Sequence, residues 1–293
     1  MSLLFGQQNA YSAPWFAARF GQHHSIPLSG FPHVAALLGD HATYLDYLAE
    51  SWRMIPRRNT AERRARWLSR LLRPPRSTDL ISTLTRPNGD QLIVDGNHRA
   101  AWAYVRGEAI QTLEADLDAW LAKTVSNPER YGAPKGIPYQ SLGPWLAGRR
   151  PDTGTRHVRL DWDDLTGRVL DLGCNIGAET MLAAVTADQA LGVDVSPRLV
   201  TAAARLGTYL ASPAQFRVAD LATEVIEGWD TVLCFSILAH VKPWDALRRT
   251  LTSARVVYIE ENGGTDLFPR VRGWFRHVDE IERSARPLWR CEP

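Results

Sequence analysis

The second half of the chain alternates short apolar runs with amphipathic stretches. RVLDL (168–172), ALGVDV (190–195), AQFRVAD (214–220), DTVLCFS (230–236) and ARVVYIEE (254–261) are strand-like, and helical patterns fall between them, one from Pro197 and one from about Pro243. Runs that are apolar throughout suit strands covered on both faces, and their alternation with helices predicts a parallel, doubly wound α/β sheet. The tail FRHVDEIERSARPLWRCEP has two extended runs around a polar break, which predicts a closing antiparallel hairpin.

The first half has a different rhythm. Asp40 is placed to N-cap a helix reaching about Trp52, and Asn59 with Glu62 has capping-box spacing for a helix ending near Leu72. LISTLTR and QLIVD, separated by PNGD, predict a hairpin, followed by a helix over about Asn97–Arg106 and a strand around Ile110–Ala115. This is an α+β pattern. Between the halves, residues 126–155 carry five Pro and five Gly with neither periodicity, so they read as a connector. The expected division is an α+β module over 1–125, a connector and candidate lid over 126–155, and an α/β module over 156–293.

Composition narrows the classes. With 293 residues and 45% hydrophobic content the chain can fill two cores, and no run approaches the ~18 apolar residues of a membrane-spanning helix. Cys174, Cys234 and Cys291 have no paired spacing, which argues against a disulfide framework or a metal site. The N-terminus lacks a basic start followed by an apolar stretch, so a cytoplasmic protein is expected. The net charge of +2 does not mark a nucleic-acid binder, yet residues 1–150 hold 18 Lys and Arg against 12 Asp and Glu, and residues 151–293 hold 16 against 20. Different ligands for two modules would explain that asymmetry. Nine arginines and one acid lie between Arg53 and Arg76. A helix there presents Arg63, Arg66, Arg70 and Arg73 on one stripe, either as a solvated flank or as a face for RNA, DNA or a phosphorylated substrate.

The stretch VLDLGCNIGAET ends an apolar strand in Asp171, turns through Gly173, Cys174, Asn175 and Gly177, and enters a helix. Its GCNIG spacing fails the GxGxxG dinucleotide fingerprint, and no GK[ST] follows for a phosphate loop. It resembles the first motif of class I S-adenosyl-L-methionine (SAM)-dependent methyltransferases, over roughly residues 156–293. The resemblance implies a Rossmann-like seven-stranded sheet. Asp194, with Val195, ends the second strand where the family's acid holds the ribose, and Asp220, with Leu221, follows the third where it meets the adenine amino group. Phe235 and Ser236 end the fourth strand beside the cofactor, and Tyr139 and Gln140 match the family's tyrosine-containing segment ahead of the glycine loop, or are plain linker. The segment LCFSILAHVKPW is similar to that of small-molecule methyltransferases and lacks the NPPY type used on bases. His240 stands where several family members hold a general base, and an imidazole suits proton transfer near neutrality; its alternative is a packing role. YIEENGG leaves Glu260, Glu261 and Asn262 at the same sheet edge, with Glu261 the second candidate base and Glu260, Asn262 and Arg149 candidate substrate contacts.

IVDGNHRAAWAYVRG places Asp95, Gly96, Asn97, His98 and Arg99 at a strand-to-helix turn, where free N–H groups and a guanidinium suit an anion. This looks like the ParB/sulfiredoxin-like fold, over roughly Arg57–Leu117. The resemblance implies nucleotide or phosphate binding, or a lid or dimer surface. The sulfiredoxin cysteine and the partition proteins' helix-turn-helix are both missing. The function expected is SAM-dependent methyl transfer to an oxygen or nitrogen of a small polar or anionic metabolite, with no metal or membrane partner and with nucleic acid as a less favoured partner left open. The alternatives are an RNA-directed methyltransferase and a nucleotide-gated binding or phosphotransfer module.

Overall fold

The computed structural model describes residues 3–6, 25–51, 59–75, 80–125, 138–142, 148–150, 156–262, 265–283 and 286–293. Contacts divide the chain into two units, residues 1–124 with 204–212 and residues 125–203 with 213–293.

In the first unit a five-stranded sheet has the order β2-β1-β4-β3-β5, formed by β1 (Leu3–Gly6), β2 (Ser25–Pro27), β3 (Ile81–Thr85), β4 (Gln91–Asp95) and β5 (Thr112–Glu114). The hairpin read from PNGD is present, with β3 antiparallel to β4. Helices α1 (Pro32–Leu37), α2 (His41–Ser51), α3 (Ala61–Leu71), α4 (Asn97–Arg106) and α5 (Leu117–Val125) accompany it. The core is built from Phe5, Phe31, Val34, Tyr47, Leu71, Ile93 and Ala100. Asp40 caps α2 as its spacing requires, accepting the Thr43 N–H at 3.1 Å. The α3 cap falls one residue later than expected: Thr60 Oγ1 accepts the Arg63 N–H at 3.2 Å, because the Asn59 side chain is spent on Ala49 O and Arg64.

In the second unit the sheet order is β11-β12-β10-β9-β6-β7-β8, with β6 (Arg168–Leu172), β7 (Gln189–Asp194), β8 (Gln215–Val218), β9 (Thr231–Phe235), β10 (Val256–Glu260), β11 (His277–Glu282) and β12 (Leu288–Glu292). Strands β8, β7, β6, β9 and β10 run parallel, and β12 pairs antiparallel with both β10 and β11. The central strands are buried along almost their whole length, which is why they read as unbroken apolar runs. Helices α6 (Ala178–Ala183), α7 (Pro197–Leu210), α8 (Asp245–Thr252) and α9 (Phe268–Val271) follow β6, β7, β9 and β10. The chain enters at β6, moves out to β8 and returns to β9 on the other side of β6. The order of strands therefore reverses between β6 and β9, and open α/β sheets bind ligands at the carboxyl edge of such a point.

Candidate active site

The loop after β6 is shaped by backbone that ordinary side chains resist. Gly173 has φ +71°, and a Cβ there would lie 2.0 Å from Ile237 Cδ1, so both conformation and space call for glycine. Gly177, at φ +84°, forms the N-cap of α6. The Gly173 and Cys174 N–H groups donate to Val193 O at 2.8 and 2.9 Å, and Asn175 N–H donates to Asp194 Oδ2 at 3.1 Å. Asp194 Oδ1 accepts from Ser196 N–H at 2.8 Å. The acid that ends β7 thus also organises the turn that ends β6. Asp220 follows β8 with its Oδ1 on Ala222 N–H at 3.0 Å.

These loops border a cavity of about 510 Å³. Its wall takes Asp171, Gly173 and Asn175 from the first loop, Asp194 and Val195 from the second, Asp220 and Leu221 from the third, Phe235 and Ser236 from the end of β9, and Tyr139 and Gln140 from the connector. Cys174 and Gly177 lie behind the wall, and burial raises the Cys174 thiol far from a reactive thiolate. The described parts of the connector fold back on themselves: Arg150 N–H donates to Tyr139 O at 2.9 Å, and Gln140 Oε1 accepts the Ala178 N–H at 3.4 Å. The rest of residues 126–155, including Trp145, lies outside the described residues.

Beside the cavity is a buried charge cluster that sequence reading missed in large part. Arg150 Nη2 donates to both Glu260 oxygens, at 2.7 and 2.9 Å. Arg156 Nε lies 3.3 Å from Glu179 Oε1 and 3.4 Å from Glu260 Oε2, with its guanidinium 5.0 Å from the Phe235 ring centre. His157 Nδ1 is 2.5 Å from Glu179 Oε2. Ser236, at φ +60°, gives its hydroxyl to Glu260 at 2.9 Å. Glu260, expected as a substrate contact, is 1% exposed and is not part of the cavity wall. It clamps the connector to the sheet edge. Glu179, an acid in the first turn of α6, was a local signal for its part of this cluster.

Asp171 is 3% exposed and accepts the Thr180 hydroxyl at 2.6 Å. Burial, reinforced by nearby Glu179, outweighs that hydrogen bond and pushes its carboxyl up to about 7. The folded pKa is therefore above the ordinary unfolded value of ~3.9, and the folded form holds the proton more tightly. This residue's contribution to stability is complete below pH ~4 and is lost as pH rises to about 7, at up to ~1.4 kcal/mol per pH unit. Asp171→Asn should flatten the stability–pH curve between pH ~4 and about 7, as urea unfolding at several pH values would register; an unchanged slope would show that Asp171 stays ionised.

At the other end of the cavity stand His240 and Lys242. His240 Nε2 lies 3.1 Å from Asn262 Nδ2. Glu261, expected as a second base, instead caps α9: it accepts the Phe268 N–H at 3.2 Å and the Thr265 hydroxyl at 3.1 Å, together with the Leu267 N–H. Those bonds leave it 3% exposed, off the cavity wall. Arg149 is exposed, off the wall, and tied through its N–H to Pro138 O at 3.0 Å.

In the first unit the DGNHR turn uses Gly96 at φ +93° as the α4 N-cap. Arg99 donates to Asp95 at 3.2 Å and to Leu80 O at 3.1 Å, and His98 Nε2 is 2.8 Å from Leu71 O. Asp95 thus offsets the positive charge at the helix start. Asn97 Oδ1 is buried there without a hydrogen-bond partner among the described residues.

The family model described as a methyltransferase domain matches residues 170–256. Among known proteins, the chain is 36% identical over 92 residues to the magnesium-protoporphyrin O-methyltransferase of Rhodobacter capsulatus, a match covering 31% of this chain and 41% of that protein. It is 34% identical over 109 residues to a ubiquinone biosynthesis O-methyltransferase of Xanthomonas oryzae pv. oryzae, covering 34% of this chain and 46% of the relative. The match thus spans less than half the length of either relative. Among solved structures, the magnesium protoporphyrin IX methyltransferase of Synechocystis with bound SAM aligns over 48% of this chain and 77% of its own, at 18% identity and a TM-score of 0.38. Residues 170–256 of this chain are a methyltransferase domain.

Proposed function

We propose that the chain transfers a methyl group from SAM to an oxygen of a small polar or anionic metabolite. The observation that carries the reading is that Asp171, Asp194 and Asp220, from the ends of three successive strands, border one cavity together with the glycine loop. The residues present fit SAM chemically. Asp194 has a carboxylate for the ribose hydroxyls and Asp220 one for the adenine amino group. The amino-acid end of SAM carries both signs of charge, and Arg150, Arg156 and Asp171 border the same cavity. When bound, SAM supplies an electrophilic sulfonium methyl. The protein's part is to hold the acceptor in line with it and keep water out.

Two O-methyltransferases among the relatives support oxygen as the acceptor atom. Calorimetry with SAM and with NAD tests the reading. SAM should bind and NAD should not; a purified full chain that binds NAD and not SAM would overturn it.

A further inference from the structure

Resting on that reading, we propose that the acceptor oxygen belongs to a carboxylate, so that the product is a methyl ester and no base takes part. The argument begins at Asn262. Its Nδ2 lies 3.1 Å from His240 Nε2, and its Oδ1 is buried without a hydrogen-bond partner among the described residues. Exchanging amide oxygen and nitrogen would bury an unsatisfied NH₂ in place of an unsatisfied carbonyl. Orphaned donors are the rarer of the two, so the amide donates and Nε2 accepts. A neutral imidazole that accepts at Nε2 carries its proton on Nδ1. On the cavity wall His240 then has an N–H donor left at Nδ1, which differs from the base expected of it. Asn262 is a positioning residue, and its backbone carbonyl accepts from the Thr265 N–H at 3.1 Å and hydroxyl at 2.8 Å.

Among the described residues, no acid on the cavity wall takes over as base. The acids on the cavity wall are committed: Asp171 to Thr180, Glu179 to His157 and Arg156, Asp194 to the Asn175 and Ser196 N–H groups, and Asp220 to the Ala222 N–H. Without a base, an acceptor must arrive already ionised. Carboxylic acids titrate near ~4 and phenols near ~10, so at neutral pH a carboxylate meets the condition and a phenol does not. Lys242 borders the same cavity as His240 and has no acid partner among the described residues. Its ammonium and the Nδ1–H together suit a carboxylate. In the step itself a carboxylate oxygen forms the bond to the methyl carbon while the carbon–sulfur bond breaks and its electron pair stays on sulfur. The charges cancel and no proton moves.

Two measurements on the full chain test this. In ¹⁵N-histidine-labelled protein, with the His240 signals assigned through His240→Gln, the neutral ring should carry its proton on Nδ1, and Asn262→Ala should erase that preference. A proton on Nε2 in the wild type would overturn the proposal. With methyl-labelled SAM and a small-molecule cell extract as the acceptor probe, the label should be released as methanol by mild base, as esters do, and Lys242→Gln should lower labelling about tenfold with SAM affinity unchanged. Base-stable label, from an ether or an amine, overturns the carboxylate assignment and leaves methyl transfer standing, whereas failure of SAM to bind removes the underlying reading.

Discussion

Asp194→Ala should weaken SAM binding by about 100-fold or more, measured calorimetrically on protein that remains folded. Hydrogen bonds to a charged group contribute ~1.5–3 kcal/mol each, and the proposed ribose contact supplies two. The same truncation also frees the Asn175 and Ser196 N–H groups that this carboxylate holds at 3.1 and 2.8 Å, so the glycine loop loses its anchor together with the ligand contact. Asp194→Asn keeps the shape and loses the charge-assisted part, and should fall between wild type and Asp194→Ala. Wild-type affinity in Asp194→Ala would mean that the cofactor lies elsewhere.

Glu260→Ala should cost about 3–5 kcal/mol of stability, read from urea unfolding, which is the usual effect of removing one partner from a buried ion pair. Arg150 and Arg156 are almost completely buried, and both meet this carboxylate, while Arg286 approaches it to 3.7 Å. Without Glu260 the cluster would hold an excess of buried positive charge with only Glu179 to answer it. Replacing Glu260 by Leu and Arg150 by Met in one protein should be milder than Glu260→Ala, because it removes charge from both sides. Equal losses in the two variants would show that Arg156 alone sets the penalty. SAM affinity should fall with Glu260→Ala as well, since the connector carrying Tyr139 and Gln140 is fastened by the Arg150–Glu260 pair.

The two candidate bases at the sheet edge show what kind of information a strand end holds. YIEENGG put Glu260, Glu261 and Asn262 at the right edge of the sheet, and there they are. Which of them a ligand can reach depended on groups far away in the chain. Arg150 and Arg156 occupy Glu260, and the backbone N–H groups of Leu267 and Phe268 occupy Glu261.

The sequence by itself determined the elements whose hydrophobic pattern is long and uniform: the strands from β6 to β10, the α2 cap at Asp40 and the β3–β4 hairpin. Their periodicity is a local consequence of being covered on one face or on both. It also determined the order of acids along the glycine loop and the next two strands, because a parallel sheet puts every strand's carboxyl end on one edge. It missed β1, β2 and α1, which have too few positions to show a period, and also the nine-residue α5. Tertiary structure alone decided which charges are satisfied. The clamp of Arg150, Arg156, His157 and Glu179 around Glu260, the raised carboxyl of Asp171 and the turn of His240 toward Asn262 each depend on contacts that folding makes between separate elements. Desolvation and hydrogen bonding act through space, and no spacing along the chain encodes them.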